Sequence, residues 1–260
     1  MYRYFSLFIY TSVSLFAFDI VPQPRPDPTE DKVQKYDDIQ HTFRLDVWFS
    51  DFDGKSGIDG FEIDSDYSYS DNDGLGTVVE YKFWQQDIGY RFSILLGYWD
   101  EQEDWDEPDL TVSIASFDGA IMTNLIHQQI SDDVKVNFNL LGGGRLFAIE
   151  QEIYAYYPYW GYIDDTHTWI EPFIGADFEF WLNNKFYLFS YIDYGTLGFG
   201  DAATHTCNFK AGFGIELGQG LAFEGGYRIL DINIDTDNGD DSFILDAKMT
   251  GYFIGMAYRF

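Results

Sequence analysis

A single cysteine, Cys207, in 260 residues excludes an internal disulfide and any cysteine-cluster metal site. Positive charge is scarce too. Fifteen Lys and Arg against 44 Asp and Glu leave a formal charge of −29. That balance excludes nucleic acid as a partner, because phosphate binding needs a basic surface. It points to cations instead, as ions bridging lipid head groups or as solutes. The apolar run that follows Arg3, Phe5 to Phe18, is shorter than the roughly 20 residues of a spanning helix. It therefore reads as a secretory signal over 1–18, with cleavage near Ala17, and no cysteine follows it to carry a lipid anchor. Proline is rare and uneven: four of seven fall in 19–40, which reads as an extended lead-in with no strand of its own.

Histidine is sparse as well, with His41, His127, His167 and His205. Ser–His hydrolysis needs a base beside an activated hydroxyl and a third group to orient it. Only His205-Thr206, two residues before Asn208, suggests such a cluster, and neighbours on a strand point to opposite faces. No residue is assigned a catalytic role, and the chain is not read as an enzyme.

What is abundant is aromatic side chains, 20% of the chain, and glycine, 25 residues. A disordered acidic chain would be aromatic-poor. The segment 41–260 alternates with a period of two, the pattern of strands with one apolar face. Phe43, Leu45, Val47 and Phe49 oppose Arg44, Asp46, Trp48 and Ser50. Similar runs begin near Leu75, Ile88, Val136, Ile170, Phe186, Cys207 (on the apolar face) and Leu221. A weaker strand is expected over Ile58–Tyr69. Two shorter ones, Leu110–Phe117 and Ala120–Ile130, are expected to meet in a hairpin at Asp118-Gly119. Turns are read at Asp71-Asn72-Asp73-Gly74, Ser131-Asp132-Asp133, Asn183-Asn184 and Gly218-Gln219-Gly220. Long loops are read around Tyr154–Thr166 and Asp235–Asp241.

The last stretch, Ser242 to Phe260, is the most telling. Tyr252, Ile254, Met256, Tyr258 and Phe260 share one face, and Gly251, Phe253, Gly255, Ala257 and Arg259 the other. A final aromatic-alternating strand ending in Phe resembles the outer-membrane β-barrel proteins of Gram-negative bacteria. The blocks LLGGGRLFAI, EPFIGADFEFWL, YIDYGTLGFG and GGYRILDI are similar to segments of small barrels of that kind. The resemblance implies an outer-membrane location amid lipid and lipopolysaccharide. It also implies an assembly signal at Tyr258 and Phe260, read by the barrel assembly machinery.

The expected fold is therefore an all-β, transmembrane, antiparallel up-and-down barrel of about twelve strands, with ten the alternative. An even count puts both termini in the periplasm with the tight turns, and the long loops outside. The stretch Glu101–Asp109 is an exception, a long loop on the periplasmic side.

The inward-facing charges are Arg44, Asp46, Glu80, Lys82, Arg91, Lys135, Arg145, Glu171, Asp177, Glu179, Asp193, Lys210, Glu216, Glu224, Arg228 and Arg259. Pairing is expected between Arg145 and Glu171 or Asp177, Lys210 and Asp193, and Arg228 and Glu216. Arg145, Glu171, Asp177, Glu179, Asp193, Lys210, Glu216, Glu224 and Arg228 are the candidate lumen and selectivity residues of a narrow passive channel for small solutes, with a preference for cations. The alternative is a closed-lumen structural or surface-interaction barrel, and the third reading an outer-membrane hydrolase. No cofactor is expected beyond loosely bound Ca²⁺, with Asp235, Asp237, Asp240 and Asp241 as the candidate carboxylates.

Overall fold

A computed structural model of the chain describes residues 40–58, 61–65, 74–101, 109–131, 133–155, 161–197, 202–237 and 242–260. The expected signal peptide, the lead-in up to residue 39 and the turn residues Asp71, Asn72 and Asp73 lie outside them.

Among the described residues eleven strands follow one another: β1 (Gln40–Ile58), β2 (Phe61–Ser65), β3 (Gly74–Gln85), β4 (Ile88–Glu101), β5 (Asp109–Ser131), β6 (Val134–Ala155), β7 (Gly161–Leu182), β8 (Phe186–Leu197), β9 (Ala202–Gly218), β10 (Leu221–Asp237) and β11 (Ser242–Arg259). Every pairing is antiparallel, and β11 pairs with both β10 and β1, closing the sheet into a ring. The seam extends to the last residue, where His41 and Phe260 exchange backbone hydrogen bonds of 3.0 and 3.1 Å.

The wall has ten strands. β2 occupies the same column as β3: β1 pairs with β3 through Gln40–Ser50 and with β2 only through Gly54–Ile58. Two expectations thereby need correction. The strand expected over Ile58–Tyr69 is the five-residue β2, a patch on the outer end of β1. The hairpin expected at Asp118-Gly119 does not exist, since β5 runs unbroken through both residues. Asp118 points into the barrel and is held there by Arg145, so an inward carboxylate and a small residue had the look of a turn. With ten strands the connection after Glu101 falls at the long-loop end, and the expected exception disappears. The loop expected over Tyr154–Thr166 is also shorter, because β6 and β7 pair out to Ala155 and Gly161.

Following hydrogen-bonded partners once around the wall from Thr42 returns to β1 at Gly54, a stagger of 12 residues. Ten strands with that stagger tilt about 40° and give a backbone radius of roughly 10 Å. Long side chains from opposite walls therefore meet.

The outward surface is a belt. Leu45, Phe49, Phe92, Ile121, Leu140, Ile174, Leu188, Phe213, Ile254 and Met256 are all exposed. Aromatics edge it at the short-turn end, where Phe83 stacks on Tyr90 at 4.8 Å and His41 on Phe260 at 5.0 Å. Roughly ten residues of each strand cross this belt, every second one facing out, which matches the height of a bilayer core. Through the body of that belt the closed wall leaves no backbone edge, as a lipid environment requires.

Beyond the belt the apolar face changes sides. On β10, Phe223, Tyr227 and Ile229 face out, and then Leu230, Ile232 and Ile234 are buried inside with Asp231, Asn233 and Asp235 outside. β11 makes the same switch between Met249 and Tyr252, β6 between Leu146 and Phe147, and β5 between Ile114 and Phe117. Outside the bilayer the solvent is water, so the apolar face must turn inward.

Candidate functional site

The lumen is filled in two layers. At the level of the belt lies a polar band. Arg44 is its hub, donating to Glu80 at 2.8 Å, Glu179 at 2.7 Å and Glu224 at 3.1 Å. Glu80 also accepts from Arg91 at 2.6 Å, and Arg91 donates to the Tyr191 hydroxyl at 2.6 Å with its guanidinium over that ring. Lys82 pairs with Asp177, which accepts a second bond from Asn139 at 2.8 Å. Tyr187 donates to Glu224 at 2.6 Å.

A second hub is Arg145, 2% exposed. It forks onto both oxygens of Asp118 at 2.8 and 3.2 Å, donates to Asp193 at 2.8 Å, and lies 3.6 Å from Glu171. Thr206 bridges it to Glu171, accepting from Arg145 and donating to the carboxylate. Such pairs form because a charge withdrawn from water must find a partner or drive the chain to unfold.

The structure brings all nine candidate lumen residues inside the barrel but changes two pairings. Arg145 does meet Glu171. Lys210 reaches Asp46 at 2.6 Å and not Asp193, which is taken by Arg145 and Asn208. Arg228 donates to Asn208 at 3.2 Å and lies over Trp48, while Glu216 pairs with Arg259 at 3.4 Å. The narrow lumen is the reason: partners are reached across the barrel as readily as along the wall. Asp118 and the two tyrosine hydroxyls complete the band. Its own alternation with Ser116 and Ala120 is the signal that identifies Asp118 as inward, once the turn reading is set aside.

Eight of the 15 Lys and Arg residues lie in this band, against nine of the 44 Asp and Glu. The lumen is thus close to neutral, and the net negative charge belongs to the rest of the chain. The cavity between Asp46, Glu80, Lys210 and Arg228 holds about 20 Å³, room for roughly one water.

Above the band is an apolar clasp. The outer halves of β10, β11 and β1 bring Leu230, Ile232, Phe243, Leu245 and Phe52 against Val112, Ile114, Phe147, Ile149 and Trp169 of β5, β6 and β7. Phe147 stacks on Trp169 at 4.7 Å and His167 on Phe243 at 5.1 Å. Gln151 on β6 donates to the Ile244 carbonyl on β11 at 3.3 Å, directly across the lumen. Glycines make the packing possible. A Cβ on Gly74 or Gly97 would run into the Trp99 ring, which lies flat against the wall.

The clasp has an acidic exterior. Glu150, Glu152 and Asp164 sit side by side on β6 and β7, with Asp51, Asp53, Asp231, Asp235 and Asp246 on the other wall. Burial, then the neighbouring Glu150 and Asp164, push the Glu152 carboxyl above its usual range. A carboxyl raised in the folded state contributes stability while protonated and loses it as pH rises through that raised value. Glu152→Gln should therefore raise the urea midpoint modestly at neutral pH and leave it unchanged at a pH below the ordinary carboxylate range. An unchanged midpoint at both would show the three carboxylates do not sense one another.

Among the described residues no group of three His, Cys, Asp or Glu is arranged to hold a metal. Of the candidate calcium ligands, Asp235 is exposed and Asp237 ends β10, while Asp240 and Asp241 lie outside the described residues. The four histidines are scattered: His41 accepts or donates with the Tyr81 hydroxyl at the short-turn rim, His127 is exposed near the end of β5, His167 caps the clasp and His205 faces out beside Asn233. Cys207 faces out and is half-buried.

No protein-family model matches the chain, and no curated protein matches it. Among solved structures it is similar to the translocator domain of the autotransporter NalP from Neisseria meningitidis, at 12% identity and a TM-score of 0.43, covering 85% of this chain and 88% of that one. It is similar to the outer membrane protease OmpT from Escherichia coli, at 10% identity and 0.40, covering 86% and 97%. It is also similar to Ail, the attachment invasion locus protein of Yersinia pestis, solved with the heparin analogue sucrose octasulfate, at 13% identity and 0.39, covering 85% and 99%. The likeness is one of architecture. A closed wall with an outward apolar belt and an aromatic edge is an outer-membrane barrel, embedded in lipid.

Proposed function

We propose that this protein is a sealed outer-membrane barrel that works at the cell surface through the acidic head above its belt, and that it conducts no solute. The observation that carries this reading is the doubly filled lumen: a charge-paired band, whose cavity between Asp46, Glu80, Lys210 and Arg228 has room for about one water, under a clasp of buried aliphatic and aromatic side chains. A narrow cation channel is the second reading. It is favoured by the polar lining alone, and the near-neutral balance of that lining takes away the source of cation preference.

The head extends the two walls of the barrel into water and carries most of its described acids outward, so its partners are cationic. Tyr258 and Phe260, on the lipid side of the closing strand, are proposed as the signal for the assembly machinery. Single-channel recording of the refolded full chain in a planar bilayer, under a salt gradient, tests the seal. The expected trace is silent. Discrete steps with a cation-signed reversal potential would restore the channel.

A further inference from the structure

Among the described residues, the outer part of β7 has one edge that no strand covers. Its pairing with β8 stops at Phe173 opposite Gly195, yet β7 continues outward for a further eleven residues, Gly161 to Glu171, plus Pro172. Over that length it pairs with β6 on one side and, among the described residues, with no strand on the other. Pro172 explains where pairing ends, because proline brings no N–H to the ladder and sits in sheets at an edge. In an antiparallel strand alternate residues turn both backbone groups to the same neighbour. The Thr166 N–H donates to Asp165 Oδ1 at 2.7 Å, which marks Thr166 as one of the residues facing the open side. Tyr162, Asp164, Thr168 and Ile170 share its parity. All are exposed, Ile170 to 65%.

An open edge is a template for another strand, and charge decides which strand. Here Asp164 and Asp165 lie on the edge itself, with Glu150 and Glu152 one strand behind. A second copy pairing edge to edge would set carboxylate against carboxylate. We infer that the outer edge of β7 accepts an extended, cationic polypeptide segment by strand addition, its backbone on Tyr162–Ile170 and its Lys or Arg side chains against Asp164 and Glu152. This rests on the surface-interaction reading above, and it names the partner's chemistry.

The test uses the full chain folded in lipid nanodiscs and a peptide of about ten residues alternating lysine and threonine, with a glutamate–threonine peptide as control. The expected result is saturable binding of the lysine peptide, with slowed amide exchange confined to 161–172. Thr168→Pro, which removes an edge N–H outside the β6 ladder, should weaken binding by about tenfold or more. Should that variant fail to fold, the double variant Asp164→Asn and Asp165→Asn should weaken it with the wall intact. Equal binding by Thr168→Pro in its folded state would overturn strand addition, leaving attraction by charge alone. No binding, equal binding of the glutamate peptide, or a dimer of the chain in the nanodisc would overturn the inference too. None of these bears on conductance, so a silent bilayer with no peptide binding sinks this inference and leaves the sealed barrel standing.

Discussion

Arg145→Met should destabilise the folded barrel by about 3–5 kcal/mol, the cost of breaking a buried ion cluster from one side. Arg145 is the shared partner of Asp118, Asp193 and Glu171, and all four side chains are almost fully buried. Its guanidinium also lies over Phe173 at 4.8 Å, so methionine keeps much of the packing and the change reports charge. Urea unfolding of the barrel refolded into vesicles, followed by tryptophan fluorescence, measures it. Adding Asp118→Asn should recover part of the loss, because one orphaned carboxylate is removed with the cation that held it. A loss below about 1 kcal/mol would mean that water reaches these carboxylates and that the band is not sealed.

Phe147→Ala tests the clasp and should cost about 3–5 kcal/mol, the range for truncating a buried phenylalanine. Phe147 is 1% exposed and stacks on Trp169. Its neighbours belong to two walls that meet across the lumen, so the space left cannot be closed by moving one strand alone. The same urea titration reads the effect, and a loss under about 1 kcal/mol would indicate a hydrated mouth where the clasp is described. The bilayer should stay silent even in this variant, because the polar band still fills the barrel beneath.

The clasp leaves a legible signal in the sequence. On β10, β11, β6 and β5 the apolar residues change parity partway along the strand, from one face to the other, with no bulge at the switch on any of them. Taken as one continuous alternation such strands look irregular. Taken as two environments they are regular, lipid-facing below and core-facing above. The Asp118-Gly119 pair is ambiguous for a related reason: its residue types favour a turn, while the alternation with Ser116 and Ala120 places Asp118 inside, where the Arg145 opposite holds its carboxylate.

Period-two alternation by itself determined which side chains face lipid and which face the lumen within the belt, and the aromatic final strand carried the resemblance to outer-membrane barrels. The facing follows from local geometry, because a strand presents successive residues to opposite faces whatever its neighbours are. The tertiary structure alone decided the strand count, the partners of each charge and whether the lumen is open. Those depend on residues far apart in the chain, Asp46 with Lys210 or Gln151 with Ile244, and on a wall radius set by strand number and stagger together. A lumen lined by mixed charges reads the same in sequence whether it is filled or hollow; only the distance across it tells.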